Sequence, residues 1–203
     1  MTDTHGVAPP AAGHADAWLH GGDVVDGYTA SPMDVPEFEQ WAERCGRVLA
    51  VRGNHDAHLQ PALEHALPAI DGACVEVEGV NVVGVGWRGD VYSDLPGERE
   101  LKRVTDAARR AVRGRRGPTV LLSHYPPTSA NGVLGRPVPD GWCSGVIDEL
   151  IRDLRPAAVM CGHIHGWAGG STTLDLGGSP CLLFNPGPTP ARLTVTPDGA
   201  TLG

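Results

Sequence analysis

The sequence has no cysteine pairing pattern and no long apolar run, and each absence argues against a class of protein. Its five cysteines are odd in number, widely spaced and form no CxxC pair, which argues against a disulfide scaffold and favours a reducing compartment. No apolar stretch approaches the roughly 20 residues that span a bilayer. The N-terminus also lacks a basic-then-apolar signal peptide. We therefore expect a cytoplasmic protein that does not associate with membranes.

An excess of positive charge is missing as well. The formal net charge of −8 disfavours a broad surface for nucleic acid or anionic lipid. The rest of the composition is ordinary for a globular protein, since 41% of the 203 residues are hydrophobic and 20% are charged. We expect residues 1–203 to form one domain, with many of the 28 glycines and 18 prolines in loops.

Four short apolar runs are each followed directly by polar residues. The runs are 17–19, 48–51, 120–122 and 157–161. Uninterrupted runs of this length are typical of buried strands. The polar residues after them are Asp23, Asn54, His124, His163 and His165. Because ligands bind at the carboxyl ends of strands in open α/β sheets, we expect these side chains to converge, with Asp3 and His5 adding a carboxylate and an imidazole.

Segments of helical and strand periodicity alternate along the chain. Helices are predicted from near Pro36 with Asp34 as its cap, over 97–113, and over 144–154 with Ser144 as its cap. A hairpin is predicted from 74–78 and 82–87, and further strands at 171–176, 181–184 and 192–196. This alternation indicates an α/β fold, and the additional hairpins indicate two sheets.

The converging side chains have the chemistry of a metal site. Carboxylate, amide and imidazole donors without thiolate suit borderline divalent ions such as Mn, Fe, Zn or Co. Seven donors exceed the four that a tetrahedral zinc needs, and one carboxylate can bridge two ions. The sequence therefore predicts two divalent metals.

Five motifs in fixed order resemble those of the calcineurin-like metallophosphoesterases. They are Asp3-Thr4-His5, Gly22-Asp23-Val24-Val25-Asp26, Gly53-Asn54-His55-Asp56, His124 and Gly162-His163-Ile164-His165. The short gap between the first two motifs, the stretch Phe38–Trp41 before the third, and Tyr125-Pro126-Pro127 are most similar to the compact prokaryotic and brain-type members. The resemblance implies a two-sheet β-sandwich flanked by helices.

The resemblance also implies how the metals are held. One ion would be bound by Asp3, His5, Asp23 and His165. The other would be bound by Asp23, Asn54, His124 and His163, so that Asp23 bridges the pair. Manganese is favoured, and a hydroxide shared by the two ions would attack the phosphorus of the substrate.

Two further residues are implied to be catalytic. His55 resembles the histidine that protonates the leaving oxygen, and Asp56 would orient its ring. Asp26 would support the metal shell. The expected reaction is hydrolysis of a small phosphodiester, with phosphomonoesters as the second choice. A non-catalytic scaffold of the same fold is the alternative, although the intact His55 argues against it, and the acidic charge argues against a nuclease.

Several other polar and aromatic residues have simpler explanations. His14, His20, His58 and His65 match no motif and are expected at the surface or in packing, with His20 as the nearest exception. Arginines between 109 and 116 fit a solvated helix end. A substrate pocket and ordinary core or rim packing explain Trp87, Arg88, Tyr92, Arg136 and Trp142 equally well.

The beginning of the chain departs from the family pattern. A strand normally precedes the Asp-x-His motif, but only Met1 and Thr2 precede Asp3. We expect the first strand to be missing from this sequence, because of a start assigned too far downstream. If the protein itself lacks that strand, Asp3 and His5 would be poorly held and the first metal would bind weakly.

Overall fold

The structure is a computed structural model that describes residues 1–7, 14–25, 34–56, 69–86 and 97–203. Within these ranges the strands are β1 (Trp18–His20), β2 (Val48–Ala50), β3 (Cys74–Val77), β4 (Val80–Val85), β5 (Thr119–Ser123), β6 (Ala158–Met160), β7 (Gly170–Asp175), β8 (Pro180–Asn185), β9 (Leu193–Thr196) and β10 (Gly199–Leu202). The helices are α1 (Asp34–Cys45), α2 (Glu98–Val112) and α3 (Gly145–Leu154). Short 3-10 helices cover Thr128–Ala130 and His165–Trp167.

A mixed six-stranded sheet forms the centre of the fold. Its order is β3-β4-β5-β6-β8-β7, in which β4, β5, β6 and β8 are parallel while β3 and β7 are antiparallel edges. Strands β1 and β2 form a separate parallel pair, and β9 and β10 form an antiparallel hairpin. Parallel strands end at the same edge, so the residues that follow β5 and β6 are placed side by side.

Alternate residues of the central strands enter two different cores, because successive strand side chains point to opposite faces. Leu121 and Val159 pack in one core with Leu101 and Ile147, from helices α2 and α3. Val120, Leu122 and Met160 pack in the other with Leu49, Leu193 and Val195, from β2 and β9. The central sheet is thus covered by helices on one face and by a second β layer on the other. This arrangement confirms the predicted α/β fold, in which β layers pack on each other and are flanked by helices.

A third cluster fixes helix α1 behind the second β layer. Trp41 is fully buried against Trp18 and Ala50, and the Trp18 and Trp41 rings meet edge to face at 6.0 Å. The helix begins at Asp34 rather than near Pro36, a difference within the usual uncertainty of helix ends.

The other predicted elements are present with small differences at their ends. Helices α2 and α3, the β3–β4 hairpin, and strands β7, β8 and β9 lie where the periodicity indicates. Strand β10 was not predicted, because Gly199-Ala200-Thr201-Leu202 has little hydrophobic alternation, and it forms by pairing with β9. Among the described residues, no helix has the length and hydrophobicity needed to cross a bilayer.

The first residues of the chain are held by backbone pairing although no strand is assigned there. Met1 donates to Leu19 and accepts from Gly21, at 3.1 and 2.9 Å, which is the pattern of parallel pairing. Thr2 N–H donates to Gly187 O at 2.9 Å, just beyond β8. Asp3 and His5 are themselves held by their N–H groups, which donate to Gly22 O and Asp23 O at 2.9 and 3.0 Å.

Helix α3 has the N-cap that the sequence indicates, and this cap can be tested. The Ser144 hydroxyl accepts a hydrogen bond from Val146 N–H at 3.2 Å. Replacing Ser144 by Ala should lower the free energy of unfolding by about 1 kcal/mol, measured by urea denaturation. Ser171→Ala, at an exposed position on β7, is the control and should change it by less than about 0.5 kcal/mol. Equal stability of the Ser144 variant and the wild type would contradict a stabilising cap.

Candidate metal centre

Four of the predicted ligands form one compact group. The ligand atoms of Asp3, His5, Asp23 and His165 all lie within 4.8 Å of one another. The Nε2 atoms of His5 and His165 are 3.0 Å apart. Asp3 and Asp23 are buried, His5 is half-buried and His165 is exposed. These residues come from three separate parts of the chain, so tertiary folding alone assembles the group.

The other predicted ligands form a second group that meets the first at Asp23. Asn54 Oδ1 is 2.9 Å from His124 Nε2 and 3.0 Å from His163 Nδ1. His124 Nε2 is also 3.4 Å from Asp23 Oδ2. The fold therefore brings together all seven side chains and places Asp23 between the two groups. Their roles as ligands remain a prediction.

The second group brings imidazole, amide and carboxylate atoms together at one point. His124 Nδ1 lies 2.8 Å from Gly21 O and donates its proton to that carbonyl. The other ring nitrogen, Nε2, faces the oxygens of Asn54 and Asp23. A carbonyl partner on the outer nitrogen is also the arrangement that orients metal-binding histidines. The donor set of this structure therefore suits a bound divalent ion.

His163 is held in the protonation state that a metal requires. Burial, and next the charge of His124, lower the pKa of His163 to about 2. Its Nε2 is buried and has no hydrogen-bond partner within the described ranges. The imidazole is neutral at physiological pH, and a neutral imidazole is the form that coordinates a metal.

Four of the candidate ligands have a backbone conformation that L-residues rarely adopt. The φ angles of Asp3, His5, Asp23 and His163 are 54°, 45°, 52° and 68°. Asp and His tolerate this left-handed region better than most residues, at a cost of roughly 1–2 kcal/mol each. Only two other non-glycine residues of the described chain, Glu78 and Arg155, share it. Such strain is concentrated at functional sites, where the surrounding structure holds it in place.

Glycines allow the two loops around Asp23 to approach each other closely. A Cβ atom at Gly53 would overlap the Asp23 carboxylate. Gly22 has a φ of 94°, and a Cβ there would lie 2.7 Å from both Gly53 N and His124 Nδ1. A side chain at Gly53 would displace Asp23, and one at Gly22 would displace His124 or the Gly53 backbone, so glycine is needed at both.

The Asp56 carboxylate organises the loop that carries Asp23. It is buried and accepts hydrogen bonds from four backbone N–H groups, those of Asp23, Val24, Val25 and Gly53, at 2.8–3.3 Å. Burial, and next the Asp23 carboxylate, raise the pKa of Asp56 to about 7, while these N–H groups act in the opposite direction. The observed role of Asp56 is thus to hold backbone, and its action on the His55 ring stays a prediction.

His55 lies beside the first group of candidate ligands. Its backbone N–H donates to Asp23 Oδ1 at 2.9 Å. Its ring meets the His5 ring edge to face, with centroids 4.7 Å apart. The half-buried imidazole is therefore next to the centre without belonging to either group.

His20 and Thr4 support the turn behind the candidate ligands. His20 Nδ1 accepts from Gly22 N–H at 3.2 Å, and its Nε2 lies 3.1 Å from Thr4 Oγ1. The Thr4 hydroxyl is also 3.3 Å from Val24 O. Burial lowers the pKa of His20 well below its ordinary value, so the ring is neutral. Both nitrogens of His20 contact the turn that leads to Asp23, so the histidine given as the exception to surface or packing roles supports the site. Sequence reasoning missed Thr4, although its place between Asp3 and His5 was a signal.

Aromatic rings cover one side of the second group. The Tyr125 ring is 4.6 Å from the His163 ring and 5.2 Å from the His124 ring. The Trp142 ring is 5.7 Å from the His163 ring. Tyr125 also lines a cavity of about 620 Å³ whose wall includes the acidic residues Glu98, Asp148 and Glu149. These three carboxylates outnumber the one cation of the lining, Arg152, which disfavours a phosphate in the cavity.

The remaining predicted residues have different outcomes. Arg136 is exposed, and its carbonyl accepts a hydrogen bond from Trp167 Nε1 at 2.8 Å. In the arginine run, Arg109 pairs with Asp106 and Asp153, at 2.8 and 2.7 Å. This pairing and the exposure of the other arginines fit a solvated helix end. Asp26, His58, His65, Trp87, Arg88 and Tyr92 lie outside the described residues.

Comparison with known families agrees with this geometry. The family model for calcineurin-like phosphoesterases matches residues 4–167, and the chain belongs to that family. It is accordingly a metal-dependent phosphoesterase that acts on a phosphate ester. A search of curated proteins finds no match.

Solved structures show the same fold at low sequence identity. The protein TT1561 of Thermus thermophilus matches with a TM-score of 0.59 and 20% identity, over 93% of this chain and 86% of its own. A putative 5'-nucleotidase from Staphylococcus aureus, in complex with alpha-ketoglutarate, matches with a TM-score of 0.56 and 12% identity over 91% of this chain. The sulfate thiohydrolase SoxB of Thermus thermophilus matches with a TM-score of 0.51 and 16% identity, also over 91% of this chain. This chain spans 43% and 37% of the last two proteins.

The role of Asp56 in holding backbone predicts a measurable loss of stability. In Asp56→Asn, an NH₂ group replaces one of the two carboxylate oxygens that accept hydrogen bonds from backbone N–H groups. Some of these buried N–H groups would then be left unpaired. The free energy of unfolding should fall by roughly 2–4 kcal/mol in urea denaturation of the metal-free protein. Affinity for Mn²⁺ should fall as well, because Asp23 loses its support.

A matched control separates this effect from the general loss of a carboxylate. Asp148 is half-buried and accepts from two backbone N–H groups, of Thr128 and Ser129, at 2.7 and 3.2 Å. Asp148→Asn should lower the free energy of unfolding by roughly 1 kcal/mol and leave Mn²⁺ affinity unchanged. Equal losses of stability and metal affinity in the two variants would contradict a special role for Asp56.

Proposed function

We propose that this chain hydrolyses small phosphodiesters with two divalent metals at the candidate centre. Asp3, His5, Asp23 and His165 would hold one ion, and Asp23, Asn54, His124 and His163 the other. The observation that carries this proposal is the position of Asp23. Its Oδ2 lies 3.9 Å from His5 Nε2 in one group and 3.4 Å from His124 Nε2 in the other. A carboxylate so placed can serve both ions.

The charge balance of the site supports cation binding. Two buried carboxylates face four imidazoles, of which His163 is neutral at physiological pH. When bound, two divalent cations would acidify a water as the nucleophile and neutralise charge on the phosphoryl group. The chain itself supplies the rigid frame, through the backbone bonds to Asp56 and the backbone N–H of His163, which donates to Asp3 Oδ1 at 2.9 Å.

We propose that the His55 imidazole donates a proton to the leaving oxygen. The ring adjoins His5 and is half-buried, so it can reach both the centre and incoming substrate. Its backbone N–H is tied to Asp23 Oδ1, which fixes the residue relative to the bridging carboxylate. Protonation of the leaving oxygen by a positioned imidazole contributes roughly 10²–10⁴ in rate.

The preference for diesters and for manganese is part of the proposal. Support for the diester comes from charge, since a diester brings one negative charge rather than two to a chain of net charge −8. We further propose that residues 1–203 form a single domain that acts in the cytoplasm on small molecules, not on nucleic acid. A phosphomonoesterase remains the second candidate, because the same centre fits its substrates.

Metal-dependent turnover tests the proposed reaction directly. After chelation, the protein should cleave neither bis-p-nitrophenyl phosphate nor p-nitrophenyl phosphate, and added Mn²⁺ should restore cleavage of the diester most strongly. The release of p-nitrophenol measures the cleavage of each ester. Preferential cleavage of the monoester would favour the phosphomonoesterase.

Metal content provides the control for that assay. Calorimetric titration of the metal-free protein should show two equivalents of Mn²⁺. His165→Ala should bind one equivalent, at the site that includes Asn54, His124 and His163. Two bound metals with no hydrolysis of either ester would support the non-catalytic scaffold instead.

Replacement of His55 separates catalysis from metal binding. His55→Ala should lower kcat for the diester by roughly 10² or more, because the leaving oxygen loses its proton donor. Two equivalents of metal should remain bound, since the ring belongs to neither ligand group. Unchanged turnover would remove His55 from the mechanism. Loss of a metal would place it among the ligands.

A further inference from the structure

Trp142 is exposed, unlike the other tryptophans in the described part of the chain. Trp18, Trp41 and Trp167 are 9%, 0% and 2% exposed, whereas Trp142 is 42% exposed. Leaving a large aromatic ring in water forgoes the stabilisation that its burial would provide. Single exposed hydrophobic residues are common on protein surfaces, so what the Trp142 ring can do depends on what lies beside it.

The exposed ring lies beside the candidate metal centre. Its centroid is 5.7 Å from the ring of His163, and the two planes are tilted by 44°. His163 in turn contacts the candidate ligand Asn54, whose Oδ1 lies 3.0 Å from His163 Nδ1. A phosphate at the centre would therefore place the group esterified to it within reach of Trp142.

The backbone around Trp142 is held in place. Trp142 N–H donates to Pro139 O at 3.3 Å, and Ser144 N–H donates to Pro126 O at 3.0 Å. Ser144 also caps helix α3. Pro126 itself follows the candidate ligand His124 by two residues. The ring is thus carried on a segment anchored both to a helix and to the strand end that bears His124, which limits the entropy lost on binding.

We propose that Trp142 is a specificity residue that stacks on a planar aromatic group, such as a nucleobase, of the phosphate ester. The inference rests on the proposed function, because it takes the phosphate to lie at the metal centre. The ring has no charge and offers a flat face, so it selects aromatic over alkyl substituents without reading their hydrogen-bonding pattern. An ester of a nucleoside or another aromatic alcohol is then preferred to an alkyl ester of equal charge.

Binding of two phosphonates tests this without any turnover. Phenylphosphonate and methylphosphonate share the anionic group, resist hydrolysis and differ in the aromatic ring. Calorimetry on the Mn²⁺-loaded wild type should show about five- to tenfold tighter binding of phenylphosphonate. Trp142→Ala should abolish that preference and leave methylphosphonate binding unchanged, while Trp142→Phe should keep most of it. Val133→Ala, an exposed apolar position on the same loop, is the matched control and should keep all of it.

Hydrolysis distinguishes this inference from the proposed function. In Trp142→Ala, kcat/KM for bis-p-nitrophenyl phosphate should fall by about five- to tenfold, mainly through KM. Equal binding of the two phosphonates by the wild type, or a preference that survives in Trp142→Ala, would overturn the inference, and ester hydrolysis would still stand. A preference that depends on Trp142 in a protein that cleaves no ester would support the stacking role and refute the proposed reaction.

Discussion

The position of one buried carboxylate, that of Asp23, is the constraint on which the rest of the site depends. Both groups of candidate ligands contact it, at 3.9 Å through His5 and at 3.4 Å through His124. Asp23 has a φ of 52°, a conformation that is costly unless its surroundings hold it. The support comes from Asp56, which binds the N–H groups of Asp23 and Val24, and from glycines that let the two loops touch.

The arrangement of strands explains why distant residues meet at that point. Strands β5 and β6 are adjacent and parallel, so His124 and His163 leave the sheet at one edge. Strands β1 and β2 are parallel in the second layer and deliver Asp23 and Asn54 to the same place. The first residues of the chain pair with the end of β1, and the His163 N–H donates to the Asp3 carboxylate. The site therefore joins both β layers and the start of the chain.

Much of the fold and of the candidate site could be predicted because the signals are local. Apolar runs that end in Asp, Asn or His identified the strand ends, and helical spacing identified α2 and α3. Strand β10 was missed because it has little alternation and depends on pairing with β9. The secure placement of Asp3 and His5 was also missed, since backbone bonds to Gly22 and Asp23 leave no trace in residue identity. For the same reason, the backbone role of Asp56 became visible only in three dimensions.

The sequence by itself determined the family and the α/β class and indicated the seven candidate ligands, because these follow from residue types and their order along the chain. It also determined the glycines at 22 and 53, without indicating why they are needed. Only the tertiary structure decided that the donors form two groups joined at Asp23, that His20 supports a turn, and that Trp142 is exposed beside His163. Distances between residues far apart in the chain depend on how strands and loops pack, and packing is set by many weak contacts that no single motif records.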